Sequence, residues 1–343
     1  MHHFVTVVII LCPFFVVLTV NRLTWKKCFC FAILGLVILL IYLLCNTVNK
    51  GRLRLNNPKW EDPGPYHVAF PHNYQFIMDI TPVCKTTTPF LVLMVHVGPG
   101  DVAARDTIRK TWGNEKKVLG QLVSTVFIVG LAEGPDADHQ QEKLREESYQ
   151  HHDLIQSDFL DTSYNSTIKT MVMMRWLVAH CSEASYVMKV DPDVFVHVHN
   201  LVQLLLDPGT AKQNYMTGLV IRHRPVLRNP YLKLYMPREV IPEPEYPAYP
   251  MNMAYIMSLD LAEKILSVPS RIKPIHITDV YLGMCLKDLD ISLSDPTKPT
   301  MFLMEPIYQL SNCRLLEVIA ARTMGISLMT SLWERSRDQD TRC

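Results

Sequence analysis

Two aspartates separated by one residue are the side chains best suited to chemistry in this chain. Asp191-Pro192-Asp193 directly follows the apolar run 186–190. Carboxylates at this spacing can both face one hard cation, and a divalent cation stabilises the negative charge of a departing diphosphate. Aspartate followed by proline is equally typical of an ordinary β-turn. The tripeptide alone therefore leaves both interpretations open.

The segments before these aspartates alternate between strand-like and helix-like patterns. Apolar runs predict strands at 90–97, 123–129, 154–155 and 186–190, and the intervening patterns predict helices at 101–112, 139–149 and 166–180. This alternation predicts a parallel, doubly wound α/β sheet. Ligands bind such sheets at the carboxyl ends of the strands, which is where Asp191 and Asp193 are expected.

Two apolar runs precede this domain, at residues 4–20 and 28–45. Each is close to the length of a membrane-spanning helix, and the three cations in residues 21–27 place that segment in the cytosol. The domain is then lumenal whether the second run spans alone or both runs span. A cleaved signal peptide is the alternative for the first run, although it lacks a basic start.

The predicted organisation has four parts. Residues 1–27 form a short N-terminal segment that includes the first candidate hydrophobic helix, and residues 28–45 form a transmembrane signal anchor. Residues 46–88 contain five prolines without clear periodicity, which predicts a stem. Residues 89–343 form the lumenal domain.

Charge and cysteine content narrow the class of protein. The net charge is +1, and no run of Lys or Arg exceeds two residues, which argues against nucleic-acid partners. The cysteines beyond the anchor are Cys84, Cys181, Cys285, Cys313 and Cys343. Five thiols in an oxidising compartment allow at most two intramolecular bridges. The sequon at Asn165 is compatible with a lumenal glycoprotein.

Four sequence blocks occur in a fixed order, at 106–113, 161–170, 188–193 and 279–285. This series resembles the β-1,3-galactosyltransferases, which are related to the β-1,3-N-acetylglucosaminyltransferases and the fringe enzymes. The resemblance covers residues 89–343. It implies a GT-A-type fold, with a Rossmann-like mixed sheet flanked by helices, and it implies a UDP-sugar donor, Mn²⁺ and inversion at the anomeric carbon.

The resemblance also implies roles for individual residues. Asp191, Asp193 and Glu305, the last in place of a family histidine, would bind the metal. The donor-binding residues would be Arg105, Arg109, Asp161, Lys169 and Asp191. A partly buried salt-bridge network explains the cations among them equally well. Asn165 would shape the nucleotide pocket, and its amide would then be hydrogen-bonded rather than glycosylated.

Inversion needs a base that deprotonates the acceptor hydroxyl, and the resemblance assigns this role to Asp279. A helix N-cap is the alternative for Thr278 or Asp279, and the two roles are compatible. Several residues depart from the family pattern. Thr278 replaces a glutamate, and Asn252 and Ala254 replace glycines in an acceptor loop that includes Tyr249. Added side chains there are expected to narrow or reshape the pocket.

The implied activity is transfer of galactose from UDP-galactose to the 3-hydroxyl of a terminal N-acetylhexosamine. The acceptor glycan would belong to a glycoprotein or glycolipid, and the enzyme would be a single-pass type II protein of the Golgi membrane. Two alternatives remain. The donor sugar could be N-acetylglucosamine, or the altered residues Thr278, Asn252 and Ala254 could leave a UDP-binding protein without catalysis.

Overall fold

The computed structural model describes residues 5–11, 14–20, 63–79 and 81–338, and the chain divides into two units, Met1–Asp62 and Pro63–Cys343. In the first unit, β1 (Val5–Leu11) and β2 (Phe14–Val20) form an antiparallel hairpin. This differs from the candidate helix at 4–20. Both halves of that run are rich in β-branched and aromatic residues, which favour strands.

The membrane anchor expected at 28–45 lies outside the described residues. Within the described ranges, no helix combines the length and the apolar character needed to cross a bilayer.

The second unit contains a mixture of strands and helices in near alternation. Its strands are β3 (Phe76–Asp79), β4 (Leu91–His96), β5 (Lys117–Val118), β6 (Gln121–Leu131), β7 (Leu154–Leu160), β8 (Tyr186–Val190), β9 (Val194–Val196), β10 (Met216–Ile221), β11 (Tyr249–Ser258), β12 (Phe302–Ile307) and β13 (Ala320–Thr323). Its helices are α1 (Val102–Lys110), α2 (Ala137–His151), α3 (Ser166–His180), α4 (Val198–Leu206), α5 (Asp260–Ser267), α6 (Thr278–Asp288), α7 (Asn312–Leu315) and α8 (Ile326–Ser336).

The main sheet is mixed, with the strand order β10-β11-β8-β4-β6-β7-β3, and β5 pairs with β6. The central strands β8, β4, β6 and β7 are parallel. β11 is antiparallel to β8, β10 is antiparallel to β11, and β3 is antiparallel to β7. The predicted parallel sheet is therefore correct only for its centre, because antiparallel strands are added at both edges, as is common in large α/β sheets.

A hydrophobic core covers each face of this sheet. All six residues of β4 are buried, as expected of a parallel strand that is covered on both faces. One core contains the apolar residues of α3, α5 and α6. The other contains Trp112, Ile108 and the apolar residues of β9 and α4. Trp112 is fully buried there, so it is a core residue.

The folded unit begins earlier than residue 89. Within the expected stem, Val68 and Tyr74 are buried, β3 pairs with β7, and Cys84 forms a disulfide with Cys181. The stretch around the prolines lacks periodicity because it is mostly extended loop, and the four-residue strand in it is too short to give a clear pattern. Residues 63–79 and 81–88 thus belong to the folded unit.

The disulfide between Cys84 and Cys181 joins residues 97 positions apart. A bridge that closes so long a loop restricts the unfolded chain, and we expect the C84S/C181S variant to lose about 2–4 kcal/mol of unfolding free energy. Urea unfolding monitored by circular dichroism measures this loss. C313S is the matched control, because Cys313 is exposed and unbridged. Equal midpoints for the double variant and the control would contradict the prediction.

Candidate active site

Asp191 begins the site at the carboxyl end of β8. Its backbone N–H donates to the carbonyl of Met253 at 2.8 Å. Its carboxylate accepts a hydrogen bond of 2.5 Å from the Lys189 ammonium. Lys189 is fully buried and also donates to the carbonyl of Asn252. This lysine therefore ties Asp191 to the strand β11. Burial raises the pKa of Asp191, and Lys189 opposes that rise.

Asp193 lies on the turn that follows. Its carboxylate accepts a hydrogen bond from Arg322 Nε at 2.8 Å, and its carbonyl accepts one from the N–H of Thr323 at 2.8 Å. The Val194 N–H donates to the Asp191 carbonyl at 3.3 Å, which closes a turn. Charge on Asp193 contributes to the raised pKa of Asp191, so the two carboxylates interact. The turn interpretation is correct, and the same turn presents both acids.

Asp279 lies on the wall of a neighbouring cavity of about 420 Å³. It is half-buried in the first turn of α6, and its Oδ2 accepts a hydrogen bond from the Asn252 N–H at 3.2 Å. The N-cap of α6 is Ile277, without a side-chain cap, so the N-cap role considered for Thr278 or Asp279 is not observed. The Asp279 carboxylate is instead hydrogen-bonded to the backbone of β11.

The electrostatic surroundings of Asp279 connect it to the first pair of acids. Burial raises its pKa, and the charge of Asp191 raises it further. The Asn252 N–H and the charge of Lys189 act in the opposite direction. The charges of Asp191 and Lys189 both affect the pKa of Asp279. The cavity and the end of β8 are therefore close enough to interact electrostatically.

Thr278 lies beside this carboxylate and is buried. Its hydroxyl is 3.0 Å from that of Thr167, which donates to the carbonyl of Ile275 at 2.8 Å. A hydroxyl chain thus joins α3 to the start of α6. Because Thr278 stands where the family pattern has a glutamate, this position next to Asp279 carries no charge.

The three residues of the expected acceptor loop occupy different environments. Tyr249 and Asn252 line the cavity. Ala254 is fully buried in β11, opposite Val190 in β8, and is not part of the lining. The side-chain nitrogen Nδ2 of Asn252 lies 3.4 Å from the Ser166 hydroxyl. Narrowing of the pocket thus stays a prediction for Asn252, whereas Ala254 belongs to the sheet.

The two arginines of α1 form a salt-bridge network. Arg105 is fully buried, bonds Glu147 at 2.7 Å through two nitrogens, and donates to the carbonyls of Gly98 and Pro99. Arg109 bonds Asp153 at 2.8 Å and also contacts Glu147. Burial alone would raise the pKa of Glu147, yet the two arginines hold it below its ordinary value. Arg105 is enclosed by protein and belongs to the scaffold.

Lys169 and Asp161 form a second buried pair. The Lys169 ammonium is 2.7 Å and 3.0 Å from the two carboxylate oxygens of Asp161, and it donates to the Val97 carbonyl at 2.8 Å. Asp161 also accepts from the N–H of Gly130 at 2.8 Å. The pair joins α3 to the ends of β4 and β6. It therefore fixes the edge of the sheet at which ligands are expected. Direct contact with the donor stays a prediction for Asp161, Lys169 and Arg109.

Asn165 precedes α3 and is half-buried. Its side-chain nitrogen donates to the carbonyl of Leu160 at 2.9 Å. Glycosylation at Asn165 stays a prediction.

Glu305 is exposed on β12, and β13 separates β12 from β9 in a three-stranded sheet. In the part of the chain that the structure describes, no group of three or more His, Cys, Asp or Glu side chains is arranged to hold a metal ion. The expected trio with Asp191 and Asp193 is therefore not assembled. The two aspartates still fit a divalent cation, because they are neighbouring oxygen donors whose mutual repulsion a cation would relieve.

Lys189 is the functional residue that sequence reasoning missed. A lysine inside the apolar run 186–190 is unusual, because buried charges require partners. Its position two residues before Asp191 was the available signal. Its second partner, the carbonyl of Asn252, could not be found from the sequence.

Comparisons with known proteins identify the family of this chain. The galactosyltransferase family model matches residues 103–297. Human β-1,3-galactosyltransferase 2 is 35% identical over 289 residues, which cover 84% of this chain and 67% of that protein. The chain belongs to the galactosyltransferase family. It is a glycosyltransferase.

Two further similarities accompany this assignment. Mouse β-1,3-galactosyltransferase 1 is 35% identical to this galactosyltransferase family member over 275 residues, covering 80% of this chain and 82% of that protein. The solved galactosyltransferase LgtC aligns with 71% of this chain and 95% of its own, at a TM-score of 0.37 and 10% identity. That structural similarity is too low to support a conclusion.

The buried pair Arg105–Glu147 provides a test of the scaffold role. R105Q leaves Glu147 buried with fewer partners, and we expect a loss of about 3–5 kcal/mol of unfolding free energy, measured by urea unfolding. R145Q removes an exposed pair on the same helix as Glu147, with Glu142, and should cost at most about 1 kcal/mol. A stable R105Q variant with weakened UDP affinity would instead indicate a donor contact.

Proposed function

We propose that this glycosyltransferase transfers galactose from UDP-galactose to the 3-hydroxyl of a terminal N-acetylhexosamine, with inversion at the anomeric carbon. The observation that carries the proposal is the half-buried carboxylate of Asp279, which lines a cavity next to the aspartates that follow β8. The names of the relatives, β-1,3-galactosyltransferases 1 and 2, support the donor sugar and the linkage. A GT-A-type fold is part of the same proposal.

Asp279 is the proposed base. An inverting displacement requires one group that takes the proton of the acceptor hydroxyl as the new bond forms. Asp279 has one oxygen held by the Asn252 N–H, and this bond orients the carboxylate. Its raised pKa makes it a stronger proton acceptor than an exposed aspartate.

Asp191 and Asp193 are the proposed ligands of Mn²⁺. When bound, the ion would neutralise charge on the diphosphate of the leaving UDP. Lys189 holds the carboxylate of Asp191, and Arg322 holds that of Asp193. These bonds fix the two acids at the end of β8 before a donor arrives, which reduces the cost of ordering them.

We further propose that the chain is a type II protein of the Golgi membrane, anchored by residues 28–45, with a lumenal catalytic domain. The apolar anchor run and the cations before it support this topology. The disulfide between Cys84 and Cys181 is consistent with an oxidising compartment. The acceptor would then be a glycan of a glycoprotein or glycolipid.

A second candidate is a protein that binds UDP without catalysis. The observation that favours it is the pair of departures next to Asp279: Thr278 is neutral, and the side chain of Asn252 occupies part of the cavity wall. A β-1,3-N-acetylglucosaminyltransferase is the enzymatic alternative, because donor selection depends on small pocket contacts.

One assay separates these three functions. UDP release is measured for the full-length chain with each UDP-sugar, with and without glycan acceptors, in the presence and absence of Mn²⁺. Acceptor-dependent release from UDP-galactose supports the proposal. Release from UDP-N-acetylglucosamine alone would replace galactose as the donor sugar, and UDP binding without any transfer would establish the non-catalytic alternative.

Replacing the proposed base should remove most of the activity. We expect D279N to lower kcat/KM by about 10²–10⁴-fold, while D290N, an exposed aspartate beyond the same helix, stays within about twofold. Asn is compatible with position 290, where φ is 55°. Because the base must be unprotonated and its pKa is raised above 3.8, kcat/KM should fall as pH drops through that higher pKa. Retained activity in D279N would exclude the assignment.

Replacing either proposed metal ligand should remove the effect of Mn²⁺ on donor binding. Calorimetry of UDP binding with and without MnCl₂ measures this effect. We expect D191N and D193N each to reduce the Mn²⁺-dependent gain in affinity at least about tenfold, because each removes an anionic oxygen ligand. D295N is the control, since Asp295 is exposed and paired with Arg222. An undiminished gain in both variants would rule out this pair as ligands.

A further inference from the structure

Arg224 is an exposed residue on the wall of the cavity that contains Asp279. It lies in the segment between β10 and β11. Its backbone carbonyl is fixed by the N–H of Tyr246 at 2.9 Å. The arginine is therefore anchored by its main chain while its side chain faces the cavity.

Three basic residues close to Arg224 in the chain have partners. Arg222 bonds Asp295 at 2.5 Å, and His223 is 3.3 Å from Glu245. Arg228 donates to three backbone carbonyls.

The guanidinium of Arg224, in contrast, has no hydrogen bond or ion pair with any residue in the described ranges. An unpaired guanidinium at a cavity wall is an available site for a carboxylate or a sulfate.

The surroundings of Tyr249 show that Arg224 and the proposed base Asp279 are close to the same side chain. Burial raises the pKa of Tyr249; the charge of Asp279 raises it further, and the charge of Arg224 lowers it. Its hydroxyl thus lies within electrostatic range of both residues. A bound sugar that presents a hydroxyl to Asp279 would then have room for a second group near Arg224.

The rest of the cavity suits a sugar. Tyr246 and Tyr249 contribute aromatic surface, and Leu227, Leu234 and Met251 contribute apolar surface. Asp191 and Asp193, the proposed partners of the donor diphosphate, do not line it. The cavity is therefore the acceptor side of the site, and an anion that reaches Arg224 would belong to the acceptor.

We propose that Arg224 binds an anionic group, a carboxylate or a sulfate, on the acceptor sugar, and so makes this glycosyltransferase selective for acidic acceptor glycans. This inference rests on the proposed function, because it takes the cavity beside Asp279 as the acceptor site. An ion pair with Arg224 can form only when the acceptor carries a negative charge. It therefore adds affinity for acidic acceptors and not for neutral ones.

The test compares neutral and acidic acceptors that are otherwise matched. The probes are a β-linked N-acetylglucosaminide, its 6-O-sulfate, and N-acetylglucosamine joined to glucuronate. Dissociation constants are measured by NMR titration of the full-length chain with UDP and Mn²⁺ present, and kcat/KM is measured with UDP-galactose. We expect the wild type to favour at least one acidic probe, and R224Q to reduce that preference about tenfold. The responding probe distinguishes sulfate from carboxylate.

Two variants make the result specific. R224K keeps the charge without the forked guanidinium, and it should retain part of the preference. R222Q removes the neighbouring arginine that is already paired with Asp295, and it should leave the preference unchanged.

The inference is overturned if the wild type binds neutral and acidic probes equally, or if R224Q weakens UDP binding instead of acceptor binding. An Arg224-dependent binding preference without sugar transfer would support this inference and refute the proposed transfer.

Discussion

A charged ammonium group lies in the interior of the main sheet, and the site is organised around it. Lys189 is fully buried in β8, where an isolated charge would cost several kcal/mol. Its partners are the carboxylate of Asp191 and the carbonyl of Asn252. Both partners must therefore stay within hydrogen-bond distance of one atom, which fixes the end of β8 against the start of β11.

This constraint extends from Asn252 to the second half of the site. The N–H of Asn252 bonds the carboxylate of Asp279, while its carbonyl bonds Lys189. One peptide segment of β11 thus connects the acids after β8 to the carboxylate at the start of α6. Because Lys189 and Asp279 both bond the backbone of Asn252, the separation between Asp191 and Asp279 depends on this strand.

The departures from the family pattern lie close to this connection without breaking it. The hydroxyl of Thr278 is bonded within the chain that links α3 to α6, and Ala254 is accommodated inside the sheet. Only Asn252 places an additional side chain at the cavity. Arg224 lies on the same wall, and Asp279 retains its hydrogen bond to the Asn252 N–H.

Local sequence patterns were sufficient to predict the central alternation of strands and helices, the aspartates at the end of β8 and Asp279 at the start of α6. Apolar runs and local turn chemistry encode these features over a few residues, so they are readable without long-range information. The predicted helix at 166–180 has the same bounds as α3.

Which of these residues come into contact depends on the packing of the whole chain. It showed the antiparallel edge strands, the disulfide, the enclosure of Arg105 by Glu147, the separation of Glu305 from Asp193, and the contact of Lys189 with Asn252. Lys189 and Asn252 are 63 positions apart. The pairing of residues so distant along the chain depends on how the whole chain packs, because no local pattern specifies which strand will lie beside β8.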